Sequence, residues 1–579
     1  MTSFDELAAL LRRGEHLQAY DLARRSLDDG DRSLALAHAA VLSLARAGAT
    51  DFARSEYVRL GLAVSDDAEA LSLGARLLKD VALGAAGARR RAFARASARG
   101  YSAAAAQGGG RYGLVNAATM SLVAGDTRLS SQLAALALEH AGDPSDGEAG
   151  YFDRASRAEA LFLLGRREAA ADMLAKAVAS APSSVSSHAS TLRQLTMIAV
   201  ETGGPTAWLE ILRPPAAAQF TGHMFAAGDF VEEAALKARM TDALGAQRVG
   251  FGYGGLAAGA DILWAEALLA AGAELHVVAP VSLASYVETS VRSFGERWVG
   301  RFDACLARAA SVRFASRDPY AGDDEVFAYA SRFAAGCAIL RADGLSTEAV
   351  QVAVWDGRPA VGPAGAAADV AYWRETGRPQ AILPFERPEP EARPPAAAGA
   401  DGERGVKAML FIDVRGFGAL RDDQVPAFFE VVMAGMAEAI GGLAAPPEHV
   451  ETWGDGVFLV FGHPADAAEA ALSLLEAHRR LNLRARGLPR HLGLRIGGHY
   501  GPVHLRVNPI TGAQAVVGAH VVVAARIEPD VAPGAVYVSE AMAGALATSH
   551  AERFRCGYVG RTKLRKSFPP LSIFNLSRR

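Results

Sequence analysis

The run Lys407–Asp413 (KAMLFID) has the character of a β-strand and ends on an aspartate. Further along, Glu451–Phe461 (ETWGDGVFLVF) sets Gly454-Asp455 between two apolar runs, the pattern of a hairpin turn. Two carboxylates on neighbouring strand ends can hold a pair of divalent cations roughly 3.5–4 Å apart, which clamp the attacking and leaving oxygens of a phosphoryl reaction. Mg²⁺ suits such a site, because it takes a few carboxylates and completes its shell with substrate phosphate. The tight turn Val414-Arg415-Gly416-Phe417 after Asp413 offers backbone N–H groups to a polyphosphate. Read in isolation, the same two aspartates are also ordinary turn residues that cap backbone groups.

The elements that would position these groups belong to a multidomain chain. Its 579 residues, 50% hydrophobic and 21% charged, are enough for three or four domains with a core each. A net charge of −3 argues against a nucleic-acid partner, which requires a clustered positive excess. Three separated cysteines, Cys305, Cys337 and Cys556, form neither a disulfide framework nor a thiolate zinc site. No apolar run reaches the ~18 residues of a membrane span, and Met1–Arg12 lacks a signal pattern, so the expectation is a soluble, cytoplasmic protein.

Residues 1–205 read as helix throughout, with alanine and leucine at helical spacing and glycine breaks at Gly14, Gly48, Gly125 and Gly165. Tyr151–Pro182 resembles a tetratricopeptide repeat, and Arg111–Thr119 followed by Ala124-Gly125-Asp126 resembles the TRAFs-binding domain of some kinases. The expectation is an N-terminal α-solenoid that offers a surface to a protein partner. Over 214–385, the β-rich runs Arg248–Phe251, Glu274–Val281, Ser311–Ala315 and Ala349–Trp355 alternate with helical stretches, which predicts a central α/β parallel sheet. The first run enters a glycine-rich corner carrying Gly252, Gly254, Gly255, Gly259 and Asp261, where backbone N–H groups can approach a phosphate. With Thr221–Met224, Ala328–Arg332, Val354–Gly357 and Gly365–Asp369, this stretch resembles the SLOG group of Rossmann-like domains. That resemblance implies a nucleotide-derived ligand on those five residues. The Pro- and Ala-rich segment 386–404 reads as a linker.

From 405 to 579 the chain resembles the catalytic domain of class III adenylyl/guanylyl (nucleotidyl) cyclases. Five collinear motifs carry the likeness: LFIDVRGF at 410–417, ETWGDGVFLVF at 451–461, LRIGGHYGPV at 494–503, VVGAHVVVAARIEPDVAPGAVYVSEAM at 516–542 and VGRTKLRKSFPPLSIFNL at 559–576. The resemblance implies an α+β, ferredoxin-like domain working as a homodimer, with two Mg²⁺ or Mn²⁺ per site and a nucleoside triphosphate as substrate. It places Asp413, Val414 and Asp455 at the metals, Arg415, Gly416 and Phe417 at the phosphates, and Arg526 and Arg565 in catalysis. Glu451 and Ala515 fall on the base-reading positions. A glutamate accepts the N–H donors of guanine, whereas adenine N1 wants a donor. Ala515 matches neither usual choice, and Val522 replaces the family's transition-state asparagine. His520, two residues earlier, reads as a surface histidine that a period of two puts on the same strand face as Val522. The expected activity is cyclisation of a nucleoside triphosphate to a 3′,5′-cyclic nucleotide and pyrophosphate, regulated by the two preceding domains. The alternative is a cyclase-like scaffold that binds nucleotide without turnover.

Overall fold

The structure is a computed structural model that describes residues 6–7, 10–11, 15–140, 147–226, 232–322, 324–386, 404–562 and 570–579. All but the two end residues of the 386–404 segment lie outside the described residues, as do Gly14 and Arg565. The chain divides into two compact units, 1–214 with 558–570, and 215–557 with 571–579.

The first unit is helical. Helices such as Gly110–Val123, Thr127–Glu139, Gly147–Leu163 and Arg167–Ser180 follow one another across short turns. Gly125 (φ 86°) and Gly165 (φ 75°) take the left-handed conformation that ends a helix without a Cβ penalty. Buried alanines, among them Ala117, Ala134, Ala158 and Ala170, let the helix axes approach closely. A buried polar cluster locks their register: the Glu159 carboxylate accepts from Thr119 at 2.6 Å and from Gln194 at 2.8 Å. Lys79 donates to Asn116 and to Gln194, each at 3.2 Å. Burial raises the Glu159 carboxyl and lowers the Lys79 ammonium, so hydrogen bonds carry this cluster.

The second unit holds two sheets. The first comprises β1 (Ala216–Gly222), β2 (Val249–Gly254), β3 (Glu274–Ala279), β4 (Ser311–Phe314), β5 (Ala349–Trp355) and β6 (Gln380–Pro384). All are parallel, in the order β4-β3-β2-β1-β5-β6, so the winding direction reverses between β1 and β5. Both faces are covered, which explains why β5 is apolar at nearly every position. The helices that matter here are α1 (Ala260–Ala270), α2 (Glu325–Leu345) and α3 (Ala366–Glu375). The β-rich runs of the sequence coincide with β2–β5, whereas β1 and β6 lie outside them. β1 opens on Ala216-Ala217-Ala218, residues with no strand preference of their own, and becomes a strand because it is buried between β2 and β5.

The second sheet is mixed. Its strands are β7 (Arg404–Arg415), β8 (His449–Trp453), β9 (Gly456–Phe461), β10 (Gly493–Val507), β11 (Gln514–Val517), β12 (Val536–Ser539), β13 (Phe554–Arg561) and β14 (Ser572–Arg578). The order is β13-β14-β12-β10-β7-β9-β8, with β11 paired to β10. Helices α4 (Pro464–Arg480), α5 (Ala519–Ile527) and α6 (Glu540–Ser549) complete it.

Within this unit α2 packs against α6 with almost no separation at one point. A Cβ on Gly336 would come within 2.6 Å of the Gly544 Cα. Beside it, the Arg313 guanidinium of β4 forks onto Glu540 at the start of α6, at 2.7 and 2.9 Å. Gly336→Val therefore has to push two backbones apart. It should cost ~1–3 kcal/mol, the usual range for overpacking, while Gly344→Val, at a position where an added Cβ meets nothing within 4 Å, should cost less. Urea unfolding followed by circular dichroism measures both, and equal losses would refute the close-packing account.

Candidate active site

β7 runs through the middle of the mixed sheet, antiparallel to β9 on one side and β10 on the other. Its pairing Ile412↔Val457 brings Asp413 alongside the turn that holds Asp455. That turn is tight: Trp453 pairs with Gly456, and Gly454 (φ 63°) takes the left-handed conformation a two-residue loop needs. The Asp413 and Asp455 carboxyl groups come within hydrogen-bond reach of each other, and the Val414 backbone N–H favours the Asp455 carboxylate. Burial first, and then the neighbouring Asp413 charge, raise Asp455 above the usual aspartate range. Asp413, Val414 and Asp455 are thus gathered at one place.

Two further residues, not assigned to the site from sequence, complete this cluster. Asp413 pairs across the strands with Arg495 of β10 and forms an ion pair with it. Arg495 Nε also lies 2.8 Å from Glu528 Oε1. Glu528 is pushed up to about 7, by burial first; Arg495 opposes that, and the Asp413 and Asp455 charges add to it. Asp413 and Glu528 face one arginine, and with Asp455 beside Asp413 they make a locally acid-rich end of the sheet. The signal that could have found Arg495 is register: antiparallel β7 and β10 place it opposite Asp413, and no motif spacing reports that.

In the turn after β7, Gly416 takes φ 96° and the Phe417 ring lies 4.8 Å from Phe428. Glu451 stands exposed on edge strand β8, its Oε1 3.0 Å from His449 Nε2. Ala515 lies on β11 opposite Arg506. Arg526 occupies the last turn of α5.

One local expectation is corrected. His520 and Val522 sit on the helix α5, not on a strand face. The run His520–Ala525 contains three consecutive valines, which mimics a strand; the helix forms because packing decides it. His520 is not a bland surface residue either: its ring stacks on His499 at 5.1 Å, with Nδ1 2.8 Å from His499 Nε2. Burial lowers His520 to about 4, and burial and the His520 charge hold His499 well below the ordinary range. Val522 is 42% exposed.

In the parallel-sheet domain three of the five expected ligand residues, Gly254, Gly255 and Asp261, come together at one cavity, whereas Gly252, inside β2, and Gly259 do not line it. A Cβ on Gly252 would meet Leu268 at 2.2 Å, and one on Gly254 would meet the Phe220 ring at 2.6 Å. Gly255 lies under the Tyr286 hydroxyl and Asp261 Oδ2. Gly259 (φ 96°) backs onto the His223 carbonyl. Asp261, at the start of α1, is raised to about 7, mainly by burial and then by the Asp369 charge. Gly254, Gly255 and Asp261 line a cavity of about 200 Å³.

Residues 403–571 match the adenylate and guanylate cyclase catalytic domain family. The C-terminal domain is a class III cyclase catalytic domain. Among solved structures, the guanylyl cyclase Cya2 is 22% identical, over 30% of this chain and 93% of that one, with a TM-score of 0.26. The adenylyl cyclase CyaB from P. aeruginosa is 17% identical, over 31% and 96%, with a TM-score of 0.27. Adenylate cyclases from Trypanosoma brucei are 20% identical, over 30% and 87%, with a TM-score of 0.27. Comparison with curated proteins gave no match. Among the described residues no helix is long and apolar enough to cross a membrane.

The family generally uses divalent metals, and the chemistry of the cyclase domain's carboxylates fits one. Among the described residues no three His, Cys, Asp or Glu side chains are placed to hold a metal ion by themselves. A facing pair suits a hard cation that takes its other ligands from water and phosphate.

Asp261 yields a pH test. Its native carboxyl titrates near 7 against 3.8 for the ordinary group. Between those values the folded protein keeps a proton that the unfolded chain has lost, so this stabilisation is full below the lower value and disappears as pH rises through the upper. The melting temperature of wild type minus that of Asp261→Asn should therefore fall between pH 4 and pH 8. A difference that stays constant across that range would refute the raised carboxyl.

Proposed function

We propose that the protein is a nucleotidyl cyclase, converting a nucleoside triphosphate to a 3′,5′-cyclic nucleotide and pyrophosphate at a site shared by two copies of the chain. The observation that carries this reading is the Asp413–Asp455 pair, two carboxylates turned on each other at adjacent strand ends inside a cyclase catalytic domain. Asp413, Asp455 and the Val414 carbonyl would hold Mg²⁺ or Mn²⁺, two ions per site. When bound, these cations would neutralise phosphate charge and make the ribose 3′-hydroxyl a better nucleophile.

The chain's own residues supply the rest. Arg495 holds the Asp413 carboxylate in place through their ion pair. The backbone around Gly416 turns N–H groups toward the terminal phosphates, with Arg415 and Phe417 flanking it. Arg526 reaches the transferred phosphate from the second copy, where its guanidinium stabilises charge that grows in the transition state. Arg565 would neutralise the terminal phosphates. Glu451 and Ala515 read the base; the Glu451 carboxylate accepts N–H donors, which favours guanine or the amino group of cytosine over adenine. Val522 cannot hydrogen-bond the ribose, and loss of one positioning contact costs on the order of 10²-fold in rate. A slow enzyme is therefore expected. Exposed Val450 and Trp453 on β8, with Val517 and Val522, support a second copy as the group that covers this part of the domain. The helical unit and the parallel-sheet domain would regulate the site, the one through a protein partner and the other through a small ligand.

Incubation with each of the four nucleoside triphosphates and Mn²⁺, with products identified by mass, should yield one cyclic nucleotide. Asp413→Asn and Asp455→Asn should each reduce the rate at least 10²-fold with unchanged circular dichroism. Absence of cyclic product and pyrophosphate from all four, with nucleotide still bound, would favour the non-catalytic scaffold. Mixed Asp413→Asn and Arg526→Ala chains should regain up to a quarter of wild-type activity through the heterodimer's one intact site. No recovery in demonstrated heterodimers would refute shared sites.

A further inference from the structure

The cavity of about 200 Å³ in the parallel-sheet domain lies at the C-terminal ends of β1 and β2, beside the point where the winding direction reverses, the usual place for a ligand in such a sheet. What lines it limits what can enter. Three carboxylates, Asp261, Asp324 and Asp369, face the cavity, and among the described residues no lysine, arginine or histidine does. Asp324 stands at the exposed rim, where it accepts from the Tyr320 hydroxyl at 2.7 Å. Asp261 and Asp369 are half-buried, and both line the cavity wall. Asp369 Oδ2 accepts from Thr221 at 2.6 Å. Asp261 Oδ1 is buried with no well-formed hydrogen bond, its Oδ2 lies 3.4 Å from the Ala257 N–H, and the Gly222 N–H also favours the carboxylate. The glycines that a phosphate would need are spent on packing: Gly252 against Leu268, Gly254 against Phe220 and Gly255 against Tyr286.

One helix joins this cavity to the cyclase domain. Phe327, Ala330, Ser331 and Ala334 of α2, spaced as one helical face, line the cavity. Tyr329, Phe333 and Gly336 lie on another face, turned to the cyclase domain. The Tyr329 hydroxyl donates to the Tyr500 carbonyl at 2.8 Å, and its ring stands edge-on to His520, 6.2 Å away. His520 opens α5, the helix that ends with Arg526 in its last turn. It also hydrogen-bonds the Ala315 backbone just after β4.

We propose that this cavity is an effector site for a small uncharged or cationic molecule that donates hydrogen bonds to Asp261 and Asp369, and that α2 passes its occupancy to α5. A phosphorylated ligand is disfavoured, because its charge would sit among carboxylates with no cation in the lining and only Arg332, behind Asp369, to offset it. The second half of the proposal deepens the cyclase reading and rests on it for its meaning; the binding half does not.

The test uses the full chain and pairs of probes that differ by a phosphate: ribose and ribose 5-phosphate, adenosine and AMP, cytidine and CMP, guanosine and GMP, uridine and UMP. Agmatine and putrescine are the cationic probes. Calorimetry counts only binding that Ala334→Phe, which fills the cavity, removes. Where Ala334→Phe does not fold, Ser331→Ala and Asp369→Asn take its place, each first checked for folding by its melting curve. At least one uncharged or cationic probe should bind, ten-fold or more tighter than its phosphorylated twin where it has one, and ten-fold weaker to Asp369→Asn. Hydrogen exchange of amides 519–527 should slow when that probe binds, and Tyr329→Phe should keep the binding but lose the slowing. If only phosphorylated probes bind in the cavity, or none of the probes does, the site is refuted. If a probe binds and exchange at 519–527 does not change, the transmission is refuted. Neither readout uses turnover, so a failed cyclase assay changes neither result.

Discussion

Like charges held side by side are the constraint on which the cyclase domain turns. Asp413 and Asp455 are brought together by the pairing of β7 with β9 and by a two-residue loop, so their backbones cannot part without breaking the sheet. Their repulsion is answered on one side by Arg495, and Glu528 completes the cluster. The strand ends therefore carry a compact group of acidic side chains whose positions follow from the sheet.

Rigidity also explains the placement of the other domain. The parallel sheet and the mixed sheet belong to one compact unit, tied by the Gly336–Gly544 approach, the Arg313–Glu540 fork and the Tyr329–Tyr500 hydrogen bond. A packed helix between two domains has few intermediate positions, because interiors at crystal-like density deform in steps. The His499–His520 stack lies where α2 meets α5. It stays uncharged through the physiological range, because burial lowers both rings, so the contact is one of shape and hydrogen bonding.

Parts of this were legible in the residues themselves. The aspartate closing a strand, the Gly-Asp turn and the five collinear motifs gave the C-terminal domain, and alanine periodicity with glycine breaks gave the helical N-terminus. Other parts were not. The alanine run of β1 carries no strand signature, and the valines of α5 carry a misleading one. The glycine-rich corner read as a phosphate turn, whereas its glycines make room for Leu268, Phe220 and Tyr286, neighbours that are distant in sequence or on another element.

The amino-acid order alone determined which chemistry is available: which side chains can hold a cation, which strand ends carry them, and which positions lack a family donor. Only the tertiary structure decided which charges face one another. Arg495 meets Asp413 through strand register, and Asp261 meets Asp369 across more than a hundred residues of chain. Such pairings arise when a sheet closes, and local sequence has no means of encoding them.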